Sequence, residues 1–316
     1  MMQEKTRKHI LKAIKIIIVV AAYAFVVYKV AFSPDIEQVP LYFTNISITK
    51  WLIFAGILLL MPINWALETW KWQKLVSPLE HISFAKSIKA VMTGVTVGTV
   101  TPNRAGEFAG RVLFVSEGKR ASASYLTIFG NIAQFCATII FGIIGLLYLW
   151  SNSSNDIPYP IFLAIGIVCG AAIIAIYFKF DNIVNTLRRT KIIKKHLDKY
   201  VPQCTITTKS KFTAIALSIF RYTIFSTQFY LSLLFFGIDI PAADAFAAIF
   251  ATYICIYIIP NIAAAELGIR TSFAIIFIGL FASQDTAVTL SSLLLYLVNV
   301  GIPILLGGVF LVKEKK

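Results

Sequence analysis

The sequence predicts an all-α polytopic membrane protein, with six transmembrane helices and two opposed re-entrant half-helix hairpins in an inverted-topology repeat. Three observations lead there. Of 316 residues, 58% are apolar and only 14% charged, more oil than a soluble globule hides. Several apolar runs reach the roughly 20 residues that one bilayer crossing needs. Two further apolar regions are each interrupted at a Pro-Asn step. The net charge of +14 would suggest nucleic acid in a soluble chain, but in this one the positions of Lys and Arg matter more than their total, and nucleic acid is set aside as a partner.

The full-length crossings are read at Ile14–Phe32, Trp51–Trp70, Ala123–Trp150, Tyr159–Phe178, Phe212–Phe236 and Thr286–Val312. Lys5, Arg7, Lys8, Lys12 and Lys15 precede the first run as in a signal peptide, but no small-residue cleavage site follows at Lys29–Pro34, so an uncleaved helix is expected. Phe84–Ser116 is broken at Thr101–Gly106, and Ala243–Ala282 at Pro260–Ala265. The arms beside these breaks have about 11 to 17 residues, and at 1.5 Å per residue the shortest reaches roughly half the hydrocarbon thickness. They are expected to be half-helices.

Charge decides whether each broken region crosses or returns. If both return, all but six of the 29 Lys and Arg face the cytoplasm, the exceptions being Lys29 and Lys50 near the outer face and four arginines in the membrane. If both cross, the basic loop at Lys179–Lys211 lies outside, against the positive-inside bias. The expectation is a single domain over 1–316 with both termini cytoplasmic, in the inner membrane of a prokaryote, and with repeat halves near 51–150 and 212–312. The breaks match in sequence, since Pro102-Asn103 is followed by Glu107 and Arg111, and Pro260-Asn261 by Glu266 and Arg270. Gly94/Gly98 and Ala247/Ala251 give the arms leading into them the small-xxx-small spacing of close helix packing. Paired interruptions in two inverted halves point to a transporter's binding site.

This topology puts Arg104, Glu107, Arg111, Arg221, Glu266 and Arg270 in the membrane, where ionisable groups cost about 2.5–3.5 kcal/mol each and need a partner or a cavity. Glu107/Arg111 and Glu266/Arg270 are four apart, which suits structural ion pairs. Arg104 and Arg221 are then expected to lack a protein partner, leaving a net charge of +2 for a visiting anion. All four buried cations are arginine, whose planar fork fits phosphate oxygens two at a time. The expected ligand is therefore a membrane lipid with an anionic phosphate headgroup, a phospholipid or a polyprenyl-phosphate carrier. Asn103 and Asn261 either cap the half-helices or bind that ligand, and Asn131, Gln134 and Asn299 are further lining candidates.

Histidine occurs only at His9, His81 and His196, and no GxxxxGK[ST] stretch is present, so histidine chemistry, histidine metal sites and direct ATP use lack their residues. No enzyme and no cofactor is expected. Cys136, Cys169, Cys204 and Cys255 have no paired spacing and read as small hydrophobes, and the tryptophans as mostly interfacial anchors. The basic Asn182–Tyr200 segment either lies on the anionic inner leaflet or is a solvated loop.

Thr101-Pro102-Asn103-Arg104-Ala105-Gly106-Glu107 with Arg111, and Pro260 to Glu266-Leu267-Gly268-Ile269-Arg270, resemble the two signature loops of the lysylphosphatidylglycerol synthase transmembrane family of flippase-like proteins. The resemblance covers nearly the whole chain and implies movement of lipids with polar headgroups, such as aminoacylated phosphatidylglycerol, between leaflets. No soluble aminoacyl-transfer domain like that of the bifunctional members is expected from these 316 residues, and Ala263-Ala264-Ala265 stands where the second loop of many relatives is glycine-rich. A membrane scaffold that presents its basic loop to a partner, or a small-anion channel, are the alternatives.

Overall fold

Hydrocarbon offers the peptide backbone no partner but itself, so apolar runs of this length fold as helices. The computed structural model describes residues 24, 27–28, 31–32, 36–44, 47–99, 101, 104, 106–152, 159–189, 206–256 and 263–314, and among them there is no strand. The expected crossing at Ile14–Phe32 falls mostly outside these residues, as do Asn103, Asn261, Cys204 and the basic segment beyond Arg189.

The helices are α1 (Ile48–Val76), α2 (Phe84–Thr99), α3 (Gly106–Val112), α4 (Arg120–Asn152), α5 (Tyr159–Phe178), α6 (Phe180–Arg189), α7 (Thr208–Phe235), α8 (Ala242–Ile256), α9 (Ala263–Ile278), α10 (Asp285–Tyr296) and α11 (Ile302–Glu314). A π-helical turn, Leu297–Gly301, joins the last two. Serine and threonine start the two long helices that pack together: Ser47 Oγ accepts from Lys50 N (3.3 Å) and Thr207 Oγ1 from Ser210 N (3.2 Å). Among the described residues, Ile48–Val76, Glu117–Asn152 and Asp285–Val312 are long and apolar enough to cross a membrane, and α5 with α6 make a fourth if that pair, bent by 74°, is one span.

Helix α7 is as long as these but buries polar side chains, because it lies inside the bundle against α1, α4, α8 and α10. Gln228 Nε2 donates to Ile57 O (2.8 Å), and Ser232 and Ser291 each donate to the other's carbonyl (3.0 and 3.1 Å). Each of these bonds satisfies a polar group that would be costly in hydrocarbon. The bend between α5 and α6 is fastened to the start of α7. Lys211 Nζ pairs with Asp181 Oδ2 (2.8 Å) and donates to Phe178 O (2.8 Å), and Tyr177 Oη donates to Lys211 O (2.7 Å).

The broken regions fold as two helical hairpins, α2 with α3 and α8 with α9. Their packing is reciprocal. Helix α2 lies against α11, where Thr96 Oγ1 donates to Ile304 O (2.9 Å) and Gly307 sits under Met92. Helix α8 lies against α4, where a Cβ on Gly145 would be 2.7 Å from Ala247 O. The first hairpin ends near where it began, because Ser116 N, just beyond α3, donates to Glu80 Oε2 (3.1 Å), just before α2. Hydrogen bonds from Ser116 hold the Glu80 carboxyl below its ordinary range.

Within the first hairpin the backbones touch, since a Cβ on Gly110 would lie 2.8 Å from both Gly94 Cα and Thr93 O. Backbone atoms on both sides cannot yield. Gly110→Ala is therefore expected to destabilise the purified protein by about 1–3 kcal/mol, the usual range for overpacking, read as a lower thermal midpoint in detergent. Gly118→Ala, where a Cβ meets nothing within 4 Å, is the control.

Some expectations change. Helix α1 runs on to Val76, past the expected end at Trp70, and carries Glu68 and Lys71 into the interior. Trp51, Trp70 and Trp150 are exposed as interfacial anchors would be, whereas Trp65 and Trp72 are buried, with Trp72 Nε1 donating to Thr127 Oγ1 (2.9 Å). Helix α3 stops at Val112 instead of reaching Ser116. Cys136 and Cys255 are buried, but Cys169 is exposed on α5.

Candidate functional site

The hairpin breaks and the long helices bring the buried charges into two clusters. The first is built on Glu68, which α1 holds in the interior. Its Oε1 takes Arg111 Nη1 from α3 (2.9 Å), and its Oε2 takes Lys71 Nζ from the next turn of α1 (2.7 Å) and Arg221 Nη1 from α7 (3.2 Å). Arg111 also pairs with Glu107, one turn back on α3. Lys71 Nζ donates to Ser218 Oγ (3.3 Å), and Arg221 Nη1 to Gln134 Oε1 on α4 (3.2 Å). The Arg221 guanidinium lies 5.1 Å from the centre of the Trp65 ring, a cation–π contact.

The second cluster is built on Glu266, near the start of α9. Arg104, from the break in the first hairpin, grips it with a fork: Nη2 to Oε1 and Oε2 (2.9 and 2.8 Å) and Nε to Oε2 (3.2 Å). Arg270 Nη2 donates to Glu266 Oε1 (2.9 Å) from one turn further along α9. The Arg270 guanidinium lies between the rings of Tyr253 and Tyr296, at 5.6 and 5.7 Å. One carboxylate thus ties the two hairpins together.

Local structure fixes these positions. Arg104 has a φ of 53°, a left-handed conformation that costs a non-glycine residue of order 1–3 kcal/mol and persists only where its surroundings hold it. Beside it, Thr101 Oγ1 accepts from Gly106 N (2.7 Å) and so closes the first turn of α3, the capping role open to Asn103. In the π-helical turn, Asn299 Oδ1 accepts from Asn64 Nδ2 of α1 (2.8 Å), so the irregular turn is pinned to the helix that carries Glu68.

Of the sequence candidates in the described residues, Arg104, Glu107, Arg111, Gln134, Arg221, Glu266 and Arg270 join these clusters. Asn131, one turn before Gln134, is exposed and has no hydrogen bond to them. The expectation that Arg104 and Arg221 lack protein partners is overturned: Glu266 and Glu68 hold them. Glu68 and Lys71 were missing from the candidates, and the near neighbourhood of Trp65, Glu68 and Lys71 on one helix face was the signal for them.

The charge balance survives this change. Five cations, Lys71, Arg104, Arg111, Arg221 and Arg270, stand against three carboxylates, Glu68, Glu107 and Glu266, an excess of two positive charges. Donors also remain open: Arg270 Nε and Nη1, and Nε of Arg111 and Arg221, have no partner. Arg270 is only 8% exposed, so its two open nitrogens face the interior and not water. The arrangement is one that accepts an anion with several oxygen acceptors. Among the described residues, no three His, Cys, Asp or Glu side chains gather as a metal site.

Residues 13–307, nearly the whole chain, match the family described as the lysylphosphatidylglycerol synthase TM region. The chain belongs to that family. Membership and the apolar helices make it a multi-pass membrane protein, and tie it to lipid biosynthesis or translocation. No curated protein matches it.

Proposed function

We propose that this member of the family is a transporter, not an enzyme, that moves an anionic phosphate-containing lipid between leaflets. The observation that carries the reading is the buried excess of two positive charges, spread over both clusters and furnished with open arginine donors. In low dielectric such an excess is costly alone and is offset by a bound anion. The two hairpins enter the membrane from opposite faces as parts of an inverted repeat. Supporting this are the closed mouth of the first hairpin at Glu80 and Ser116, and the reciprocal packing of α2 on α11 and α8 on α4. The termini are cytoplasmic, and so is the side on which the Lys and Arg of the 182–200 stretch stand.

The test is reconstitution. Vesicles holding the protein and a trace of fluorescent phosphatidylglycerol are treated with an impermeant quencher, and the inner-leaflet label should become accessible, unlike in empty vesicles. Equal protection in both would end the transporter reading, and flux of inorganic anions with no lipid movement would make the protein a channel. The topology has its own test: in intact cells a cysteine at Asn152 should react with an impermeant thiol reagent and one at Lys119 should not. Reaction at Lys119 would remove the re-entrant first hairpin.

A further inference from the structure

Glu266 stands where a phosphate would stand. It presents two oxygens to the Arg104 fork at 2.8–3.2 Å, the bidentate geometry with which arginine holds phosphate, and a third bond reaches it from Arg270. Arg104 is a third exposed, so a ligand reaches its guanidinium, whereas Glu266 and Arg270 are buried. If Arg104 lets go, Glu266 is not stranded, because Arg270 keeps it paired. Arg270 in turn has two unpartnered nitrogens, Nε and Nη1, on the guanidinium that bonds Glu266. The Arg104 backbone stands in the left-handed region, at φ 53°.

We propose that Glu266 is a built-in competitor for the phosphate, so that the Arg104–Glu266 bridge is a latch between the two hairpins which the ligand opens by taking the Arg104 fork. The proposal rests on the transport reading above and adds how the site is kept closed when empty. The closed latch occupies the Arg104 fork and excludes weaker anions. Only a group that matches the carboxylate's two-point grip displaces it. Opening frees the tip of the first hairpin from α9, which couples binding to movement of one hairpin against the other. The competitor must also weaken binding, so its removal strengthens the complex and slows release.

The experiment measures binding of dihexanoyl phosphatidylglycerol to the full chain in dodecyl maltoside, beside inorganic phosphate, for wild type, Glu266→Gln and Glu266→Asp. Glutamine keeps the size but not the charge, and aspartate is too short to hold both arginines. The short lipid should bind either variant about tenfold more tightly than wild type, while both variants move fluorescent phosphatidylglycerol more slowly in vesicles. If wild type binds the lipid and the variants that fold bind it equally or more weakly, the latch is wrong and the transport reading stands. If no form binds the lipid, both fall. If inorganic phosphate binds as tightly as the lipid and is tightened as much, the latch stands and the lipid is not the ligand.

Discussion

Glu68→Ala is expected to destabilise the protein by about 3–5 kcal/mol, the usual consequence of removing one partner from a buried ion pair. Glu68 is 2% exposed and serves three cations, one from its own helix and two from α3 and α7. Its loss is uneven. Arg111 retains Glu107 and Arg221 retains Gln134, but Lys71, equally buried, is left with the Ser218 hydroxyl alone. Lysine 71 therefore carries most of the penalty, and adding Lys71→Met to Glu68→Ala should recover a large part of it. Thermal unfolding in detergent reads both. A Glu68→Ala protein as stable as wild type, or a double variant worse than the single one, would show that Glu68 is not the hub of the cluster.

Arg221→Ala is expected to have the opposite profile, with little loss of stability and a large loss of transport. Glu68 keeps Lys71 and Arg111 when Arg221 is removed, so no carboxylate is stranded, and what goes is one of the two excess charges together with an open donor. Hydrogen bonds to charged groups are worth about 1.5–3 kcal/mol, which converts to a roughly 10–100-fold slower movement of labelled phosphatidylglycerol. Arg221→Lys should fall between, since it keeps the charge but loses the fork and the stacking on Trp65. A folded Arg221→Ala protein that moves lipid at the wild-type rate would remove Arg221 from the phosphate site.

Much of this was legible in the sequence because hydrocarbon imposes simple rules. Long apolar runs became helices, and charges too costly to leave in lipid met one another. What escaped was a matter of depth. Trp65, Trp70 and Trp72 mark a membrane border when taken as interfacial anchors, which left Glu68 and Lys71 unread at that border. The structure separates the three: Trp70 is exposed, while Trp65 and Trp72 turn inward with the charged pair. Pairing was the second gap. Spacing within one helix reveals Glu107 with Arg111 and Glu266 with Arg270, but no local spacing reveals that Arg104 belongs to a glutamate 162 residues away.

That separation has a consequence for how the protein is made. At about 5–20 residues per second, the ribosome delivers Glu266 roughly 8–30 s after Arg104, and Arg221 is likewise late for Glu68. Glu68 has an interim partner three residues away in Lys71, so that pair enters the lipid neutral. Arg104 finds the carboxylate that takes its fork only in the second half of the chain. The bridge between the first hairpin and α9 therefore forms only after the second half of the chain has been made.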